Sequence, residues 1–182
     1  MQDQDTVEKL LQCAREARGD HRPDDARRDL VEAVRLCREA GERKLLAAAL
    51  TALGQVERDL GRRAEALRLY QEAAELYRGM DQPLRLAHTI RHVGDIHGEM
   101  KQFEQAEPFY AEALAIYRAH PEAAKLDLAN ALRGYALQRE GVGESQQAAA
   151  MWREAGELYA ACGVEAGVKE SERRVARLRQ HN

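Results

Sequence analysis

The sequence has few of the features that mark secreted or nucleic-acid-binding proteins. Its three cysteines, Cys13, Cys37 and Cys162, are too few for a disulfide framework, and no Cys-x-x-Cys pair is present to begin a structural zinc site. We interpret them as small core residues in a reducing compartment. A net charge of −3 over 182 residues offers no strong field to nucleic acid or to a membrane, so neither is an expected partner.

Motifs that carry chemistry are also missing. The chain contains no Gly-x-x-x-x-Gly-Lys phosphate loop and no Gly-x-Ser-x-Gly nucleophile elbow. The longest apolar run, residues 45–50, is far too short to cross a bilayer. Residues 1–5 are polar and acidic, unlike a signal peptide. These absences predict a soluble, cytoplasmic protein that is not an enzyme and needs no cofactor.

The sequence does have the composition of a helical protein, and its glycines and prolines are placed where helices would end and begin. Charged residues make up 32% of the chain, and alanine, leucine, glutamate and arginine, which favour helices, are abundant. Six glycines are predicted to close helices in the left-handed conformation: Gly19, Gly41, Gly61, Gly79, Gly141 and Gly163. Three prolines are predicted to open helices: Pro23, Pro83 and Pro121. The pattern predicts nine helices, at about 5–18, 23–40, 42–60, 62–78, 83–100, 102–119, 121–140, 144–162 and 164–180.

The helices recur in pairs with a period of 40 to 42 residues. In the first helices, the segment Leu86-Ala-His-Thr-Ile90-Arg-His-Val93-Gly94 follows Leu46-Ala-Ala-Ala-Leu50-Thr-Ala-Leu53-Gly54 and precedes Leu128-Ala-Asn-Ala-Leu132-Arg-Gly-Tyr135-Ala136. In the second helices, the set Ala66, Tyr70, Ala73 and Tyr77 recurs as Ala106, Tyr110, Ala113 and Tyr117, and as Ala148, Trp152, Ala155 and Tyr159. Small residues let two helices approach, and large ones fill the space beside them. We predict one domain, residues 1–182, of four stacked pairs at about 5–40, 42–78, 83–119 and 121–162 and a capping helix at about 164–180.

These residues resemble the tetratricopeptide repeat, whose pattern has a large residue and Leu-Gly in the first helix, then Ala, an aromatic residue and Ala in the second. The second repeat matches with Leu50, Leu53-Gly54, Ala66, Tyr70 and Ala73, and the third with Ile90, Val93-Gly94, Ala106, Tyr110 and Ala113. The long spacing is similar to that of kinesin light chains and of bacterial signalling proteins. The resemblance implies an all-α, right-handed superhelical solenoid, a scaffold that holds a protein or peptide in its concave groove.

The first helix of each pair has a second face, which lies roughly 130° around the helix from its core face. The resemblance implies that this face lines the groove. The predicted peptide-binding residues are Arg15, Gln55, Arg58, His88, Arg91, Asp95, Asn130, Arg133, Arg173 and Arg177. Because guanidinium groups offer paired donors, the expected ligand is an acidic peptide or a free C-terminus, with Arg91 and Arg133 at the centre.

Three other interpretations stay open. The arginines fit equally well a solvated face that pairs with neighbouring carboxylates. Alternatively, the repeats would serve as a self-associating assembly module or homodimer. Exposed apolar residues, such as Leu11 on the first helix or others on the last helix, would favour this interpretation. Finally, His88, His92 and Asp95 share one helix stripe and are candidate ligands for zinc or a similar ion, although the nearby Arg91 would repel a cation.

Overall fold

The computed structural model describes residues 2–120 and 125–180 and consists of helices joined by short turns. Within these residues there are nine helices and no strand: α1 (Gln2–Gly19), α2 (Pro23–Ala40), α3 (Arg43–Asp59), α4 (Arg63–Arg78), α5 (Pro83–Glu99), α6 (Phe103–Ala119), α7 (Lys125–Gly141), α8 (Ser145–Ala161) and α9 (Glu165–Gln180). Pro23 and Pro83 open helices as predicted. Pro121, predicted to open the seventh helix, lies outside the described residues.

The chain forms two compact units, Met1–Gln82 and Pro83–Asn182, which we call the first and the second unit. The first unit contains α1–α4 and the second contains α5–α9. Within each unit, consecutive helices pack as hairpins, and the first helices of neighbouring pairs also meet, α1 with α3 and α5 with α7. This pairing confirms the predicted all-α architecture of stacked helix pairs. The assignment of residues 1–182 to one domain stays a prediction.

The recurring alanine and aromatic positions of the second helices form the core of each hairpin. Every member of the four sets is buried, from Ala26, Leu30, Ala33 and Cys37 in α2 to Ala148, Trp152, Ala155 and Tyr159 in α8. Glycine in the first helix makes room for the aromatic ring. A Cβ added to Gly54 would lie 3.2 Å from the Tyr70 ring, and one added to Gly94 would lie 3.2 Å from the Tyr110 ring. The predicted small–large packing is therefore confirmed.

The turns share a backbone feature that the glycine pattern predicted only in part. In seven described turns a residue with positive φ stands two positions before the next helix: His21, Gly41, Gly61, Asp81, Lys101, Gly143 and Gly163. The prediction was wrong for Gly19 and Gly141, which end helices, and for Gly79, whose φ is −81°. A hydrogen bond such as Glu42 N–H to Cys37 O, at 3.0 Å, closes six of these turns, those at His21, Gly41, Gly61, Lys101, Gly143 and Gly163. The distance to the next helix, and not the residue type, therefore fixes where the left-handed residue lies.

The cysteines divide into two groups. Cys37 is buried, as predicted, whereas Cys13 and Cys162 are exposed, so the core interpretation is wrong for these two. The residue of α3 that is equivalent to Cys13, Leu53, is buried in a helix that packs on both α2 and α4. Cys162 lies just beyond the end of α8, in a turn.

Candidate functional site

The residues predicted to bind a peptide lie on first helices, and in the second unit they share a face of α5, α7 and α9. We call this the polar face and define it by the following residues: His88, Arg91, Asp95, Asn130, Arg133, Glu140, Glu170, Arg173, Arg174 and Arg177. Side-chain hydrogen bonds join α7 to α9 along it. Arg133 forms a bidentate pair with Glu170, with Nε 2.8 Å from Oε2 and Nη2 3.3 Å from Oε1. The face is therefore held together by charge as well as by packing.

Glu140 is the second link between α7 and α9. Its Oε1 accepts a hydrogen bond from Trp152 Nε1 at 2.6 Å. Its Oε2 accepts one from Arg174 at 3.1 Å and also pairs with Arg177. The Arg174 guanidinium lies 5.4 Å from the centre of the Trp152 ring, within the range of a cation–π contact. One carboxylate thus connects the core of α8 to two arginines of the polar face.

Two tyrosines of the second helices reach the polar face through the hairpins. The Tyr110 hydroxyl donates to Asp95 Oδ1 at 2.8 Å, and the Tyr159 hydroxyl donates to Asn130 Oδ1 at 2.8 Å. Gly134 of α7 permits the first contact, because a Cβ there would lie 2.8 Å from the Tyr110 hydroxyl and 2.9 Å from Asp95 Oδ1. These buried phenols fix the orientation of Asp95 and Asn130.

Arg91, predicted to be a central ligand contact, lies below this surface. Its side chain is only 9% exposed, Nη1 donates to Asp95 Oδ2 at 2.8 Å, and Nη2 lies 3.0 Å from His92 Nε2. Its Nε atom is buried and makes no hydrogen bond to a described residue. The Arg91 guanidinium is therefore largely covered, and its role as a central ligand contact stays a prediction. α5 turns this guanidinium inward, against its own Asp95 and His92.

Three arginines of α9 form the most cationic part of the polar face. Together with Glu170, they line a cleft of about 280 Å³: Arg173, Arg174 and Arg177. Although burial raises it, the pKa of Glu170 is lowered overall by its hydrogen bond from Arg133 and by the charges of Arg174 and Arg173. This cleft, which we call the arginine cleft, carries more positive than negative charge.

Arg173 differs from its neighbours in the arginine cleft. It is exposed, and its only hydrogen bond within the described residues is from Nε to the Lys169 carbonyl oxygen of its own helix, at 3.2 Å. Its two terminal nitrogens therefore carry no hydrogen bond within the described part of the chain. Arg133 and Arg177 are bound to carboxylates, as the solvated-face interpretation expects, but Arg173 is not. Arg173 thus has donors available for an anionic ligand.

The predicted residues of the first unit lie on α1 and α3. Arg15 is exposed and donates to Gln12 of its own helix at 2.9 Å, whereas Gln55 and Arg58 of α3 are half-buried. Arg18 joins α1 to α3, with its Nε 2.6 Å from Asp59 Oδ2. We take the polar face of the second unit as the candidate site.

The candidate metal site at His88, His92 and Asp95 is not formed. No group of three metal-ligating side chains converges anywhere in the described ranges, 2–120 and 125–180. The ring nitrogen of His92 is occupied by the Arg91 guanidinium, and His88 Nδ1 lies 3.7 Å from Asp127 Oδ1 of α7 instead. A guanidinium beside the imidazole disfavours any bound cation.

We expect His92 to make the second unit acid-sensitive. Its pKa is lowered from 6.5 to about 4, mainly by burial and in smaller part by the charges of Arg91 and His88, while Asp95 opposes the change. The folded protein therefore keeps His92 neutral where the unfolded chain would protonate it. Stability should fall as pH drops below 6.5 and should level off near pH 4. The loss should amount to about 3 kcal/mol.

Denaturant unfolding at several pH values, followed by the fluorescence of the single tryptophan, Trp152, would measure this loss in the second unit. The variant His92→Gln should unfold with a much weaker pH dependence over the same window. His21→Asn, in the exposed α1–α2 turn, controls for the loss of a histidine elsewhere. Equal pH dependence of the wild type and His92→Gln would contradict the prediction.

Sequence reasoning missed several residues that build the polar face. Tyr110 and Tyr159 were predicted only as core residues, and Glu140 and Glu170 were not among the predicted contacts. The sequence did contain a signal for the tyrosines. Each occupies a large position of the small–large pattern, and the first helix of its pair carries a polar residue near a glycine. The helical angle places Glu140 and Glu170 in the same row as the predicted contacts, but it does not show which arginines they pair with, since Arg133 lies 37 residues from Glu170.

Comparisons with known proteins agree with the fold described above. Two models described as tetratricopeptide repeat match the chain, one at residues 17–79 and the other at residues 86–120. Among solved structures, the crystal structure of BtubC (BKLC) from P. vanneervenii is similar with a TM-score of 0.59 and 15% identity, covering 100% of this chain and 92% of that one. Residues 41 to the end of MamA from Desulfovibrio magneticus RS-1 give a TM-score of 0.64 and 15% identity, covering 98% and 97%. A search of curated proteins found no match.

Proposed function

Because the chain belongs to the tetratricopeptide repeat family and resembles kinesin light chain, we propose that it is a non-catalytic module that binds a protein or peptide segment. The repeats and the fold support a role in protein interaction or as a scaffold. None of the described helices combines the length and the apolar character that a membrane span requires. The free cysteines suit a reducing compartment, so we propose a cytoplasmic location.

The proposed ligand is an acidic or carboxylate-bearing segment that binds the polar face of the second unit. The observation that carries this proposal is the arginine cleft, where three guanidinium groups surround one carboxylate and Arg173 keeps its terminal nitrogens available. A ligand carboxylate would accept paired hydrogen bonds from Arg173 and, by displacing Glu140, from Arg177. Arg133, half-exposed beside Glu170, would extend the cationic surface towards α7.

The remaining predicted residues take supporting roles in this proposal. His88 and Asn130 are half-buried on the same face and would contact the backbone of an extended ligand, while Arg91 and Asp95 would hold the surface in place from below. On the first unit, Arg15, Gln55 and Arg58 are proposed as a separate and weaker set of contacts. The charge balance of the chain is near neutral, so selectivity would come from this face and not from the net charge of −3.

Fluorescence anisotropy with two labelled peptides, hexaglutamate and hexalysine, tests the preference. We expect hexaglutamate to bind more tightly, and we expect Arg173→Glu to weaken its binding by about tenfold, since a charge-assisted pair is replaced by a repulsive one. An amidated hexaglutamate would show how much the C-terminal carboxylate contributes.

A matched control variant is Arg153→Glu, which makes the same charge change on α8 at another arginine that has no ion pair within the described residues. It should leave hexaglutamate binding nearly unchanged. Equal binding of the two peptides, or equal effects of the two variants, would contradict the proposed preference for acidic segments without affecting the assignment to the family.

A further inference from the structure

A second cleft lies between α8 and α9, on the side of α9 opposite the polar face. Its volume is about 470 Å³, and we call it the end cleft. Its floor is mainly apolar and comes from both helices: Trp152, Gly156, Val168, Val175 and Ala176. Four charged side chains stand around the floor: Arg153 and Glu157 on α8, and Glu172 and Arg179 on α9. The two faces of α9 therefore differ in character, one strongly cationic and the other apolar with balanced charge.

The repeat relates the residues of this cleft to positions in α7. In α7, the residues Leu132, Ala136 and Arg139 are buried, and Ala136 packs against Ala148, Ala149 and Trp152 of α8. Forty residues later, the same places of α9 hold Glu172, Ala176 and Arg179, and all three are exposed. The side of α9 that corresponds to the α8-packing side of α7 is therefore exposed within the described residues.

The four charges around the end cleft have no partner within the described residues. None of Arg153, Glu157, Glu172 and Arg179 forms a hydrogen bond or ion pair there, whereas the carboxylates of the polar face are all paired. Two of the four are acidic and two are basic. A partner with charges of one sign would meet repulsion at half of them. A partner with the same balanced pattern in reverse order would satisfy them all.

A buried hydroxyl also faces this region. Ser171 lines the end cleft, is only 2% exposed, and its Oγ makes no hydrogen bond to a described residue. A buried polar group without a partner is unfavourable, so an occupant that supplies a donor or acceptor here would gain binding energy.

We propose that the end cleft binds a second copy of this chain, with the two α9 helices packed antiparallel about a two-fold axis. Glu172 and Arg179 are seven residues apart, which is about two helical turns, so both point to one side. When two such helices run antiparallel, Glu172 of each copy faces Arg179 of the other. Val175 and Ala176 then lie at the crossing point, where the small side chain of Ala176 permits close approach. This surface is separate from the polar face, so the dimer leaves the proposed peptide site open.

Sedimentation velocity over a concentration range of about a thousandfold tests the dimer. The wild type should pass from monomer to dimer as its concentration rises. Glu172→Arg and Arg179→Glu should each raise the dimer Kd by about tenfold or more, because each places like charges opposite one another twice. The double variant E172R/R179E should return the Kd close to the wild-type value, since the exchanged charges again face their opposites.

Mixing the two single variants gives the sharpest readout. Neither should dimerise well alone, but an equimolar mixture should form heterodimers, in which both ion pairs are restored. Far-UV circular dichroism of each variant checks that the exposed substitutions leave the helices intact, and Arg173→Glu, on the other side of α9, should leave the Kd unchanged. A wild type that stays monomeric throughout, single variants without effect, or a mixture that stays monomeric would each overturn the proposal.

Discussion

Replacing Trp152 with alanine should cost about 3–5 kcal/mol of the free energy of unfolding, the largest loss we expect from a single substitution. The side chain is fully buried among Ala136, Ala148, Val175 and Leu178, so its removal leaves a large cavity at the junction of α7, α8 and α9. The cluster around it consists mostly of alanine, and such small side chains cannot collapse into the space.

The same substitution also removes the hydrogen bond of 2.6 Å from the indole nitrogen to Glu140. Glu140 would keep Arg174 and Arg177, so the contact between α7 and α9 would weaken without disappearing. We therefore expect α9 to become the part of the second unit most sensitive to proteolysis. Thermal and denaturant unfolding, followed by far-UV circular dichroism, would measure the loss.

Trp152→Phe is the matched control, because it keeps most of the buried ring and removes only the N–H donor. Its cost should be about 1–2 kcal/mol, near the value of one hydrogen bond to a charged group plus a small cavity. If Trp152→Ala lost less than Trp152→Phe, or if neither changed the midpoint of unfolding, the packing described for this cluster would be wrong.

Replacing Gly167 with alanine should destabilise the second unit by about 1–3 kcal/mol, although alanine is the better helix former. A Cβ at this position would lie 2.5 Å from Cγ of Tyr159 and 2.6 Å from its Cδ2. These ring carbons lie close to the α8 backbone and cannot swing away as the tip of a flexible side chain would. The ring must shift, and its hydroxyl would then lose the bond to Asn130.

For Gly98→Ala on α5 we expect a gain of stability and not a loss. A Cβ there would meet only the Tyr110 hydroxyl, at 3.8 Å, which is an ordinary contact. The variant should therefore gain about 0.5–1 kcal/mol from the higher helix propensity of alanine. Parallel unfolding curves of the two variants would test both expectations. A Gly167→Ala protein as stable as Gly98→Ala would show that the Tyr159 ring does not rest on α9.

Much of the fold was predictable because its rules are local. The spacing of apolar residues predicts the helices, since 3.6 residues per turn bring every third or fourth side chain to one side. The recurrence of Ala66, Tyr70 and Ala73 predicts which side packs, and burial of all the equivalent residues confirms it. The left-handed residues were harder, because the glycine pattern does not mark Asp81 or Lys101, and Lys101 adopts a conformation that its side chain does not favour.

The candidate site was only partly predictable. The helical angle places Arg133, Arg173 and Arg177 on one face, but it gives no information about the depth of Arg91 or about its neighbours. Arg91 and Arg133 occupy equivalent places in successive repeats, yet the first is buried against Asp95 and the second is half-exposed against Glu170. The equivalent places differ because the residue one turn later is Asp95 in α5 and the apolar Leu137 in α7.

By itself, the sequence determined that this protein is a series of paired helices, where each helix lies, and which residues fill each hairpin. These properties follow from backbone hydrogen bonds and side-chain size within one or two repeats. Only the tertiary structure decided which charges are neutralised, which arginine keeps its donors available, and which side of α9 lies uncovered. Electrostatic partners such as Arg133 and Glu170 come from different helices, and their distance depends on the rotation and separation of packed helices, which a linear pattern does not record.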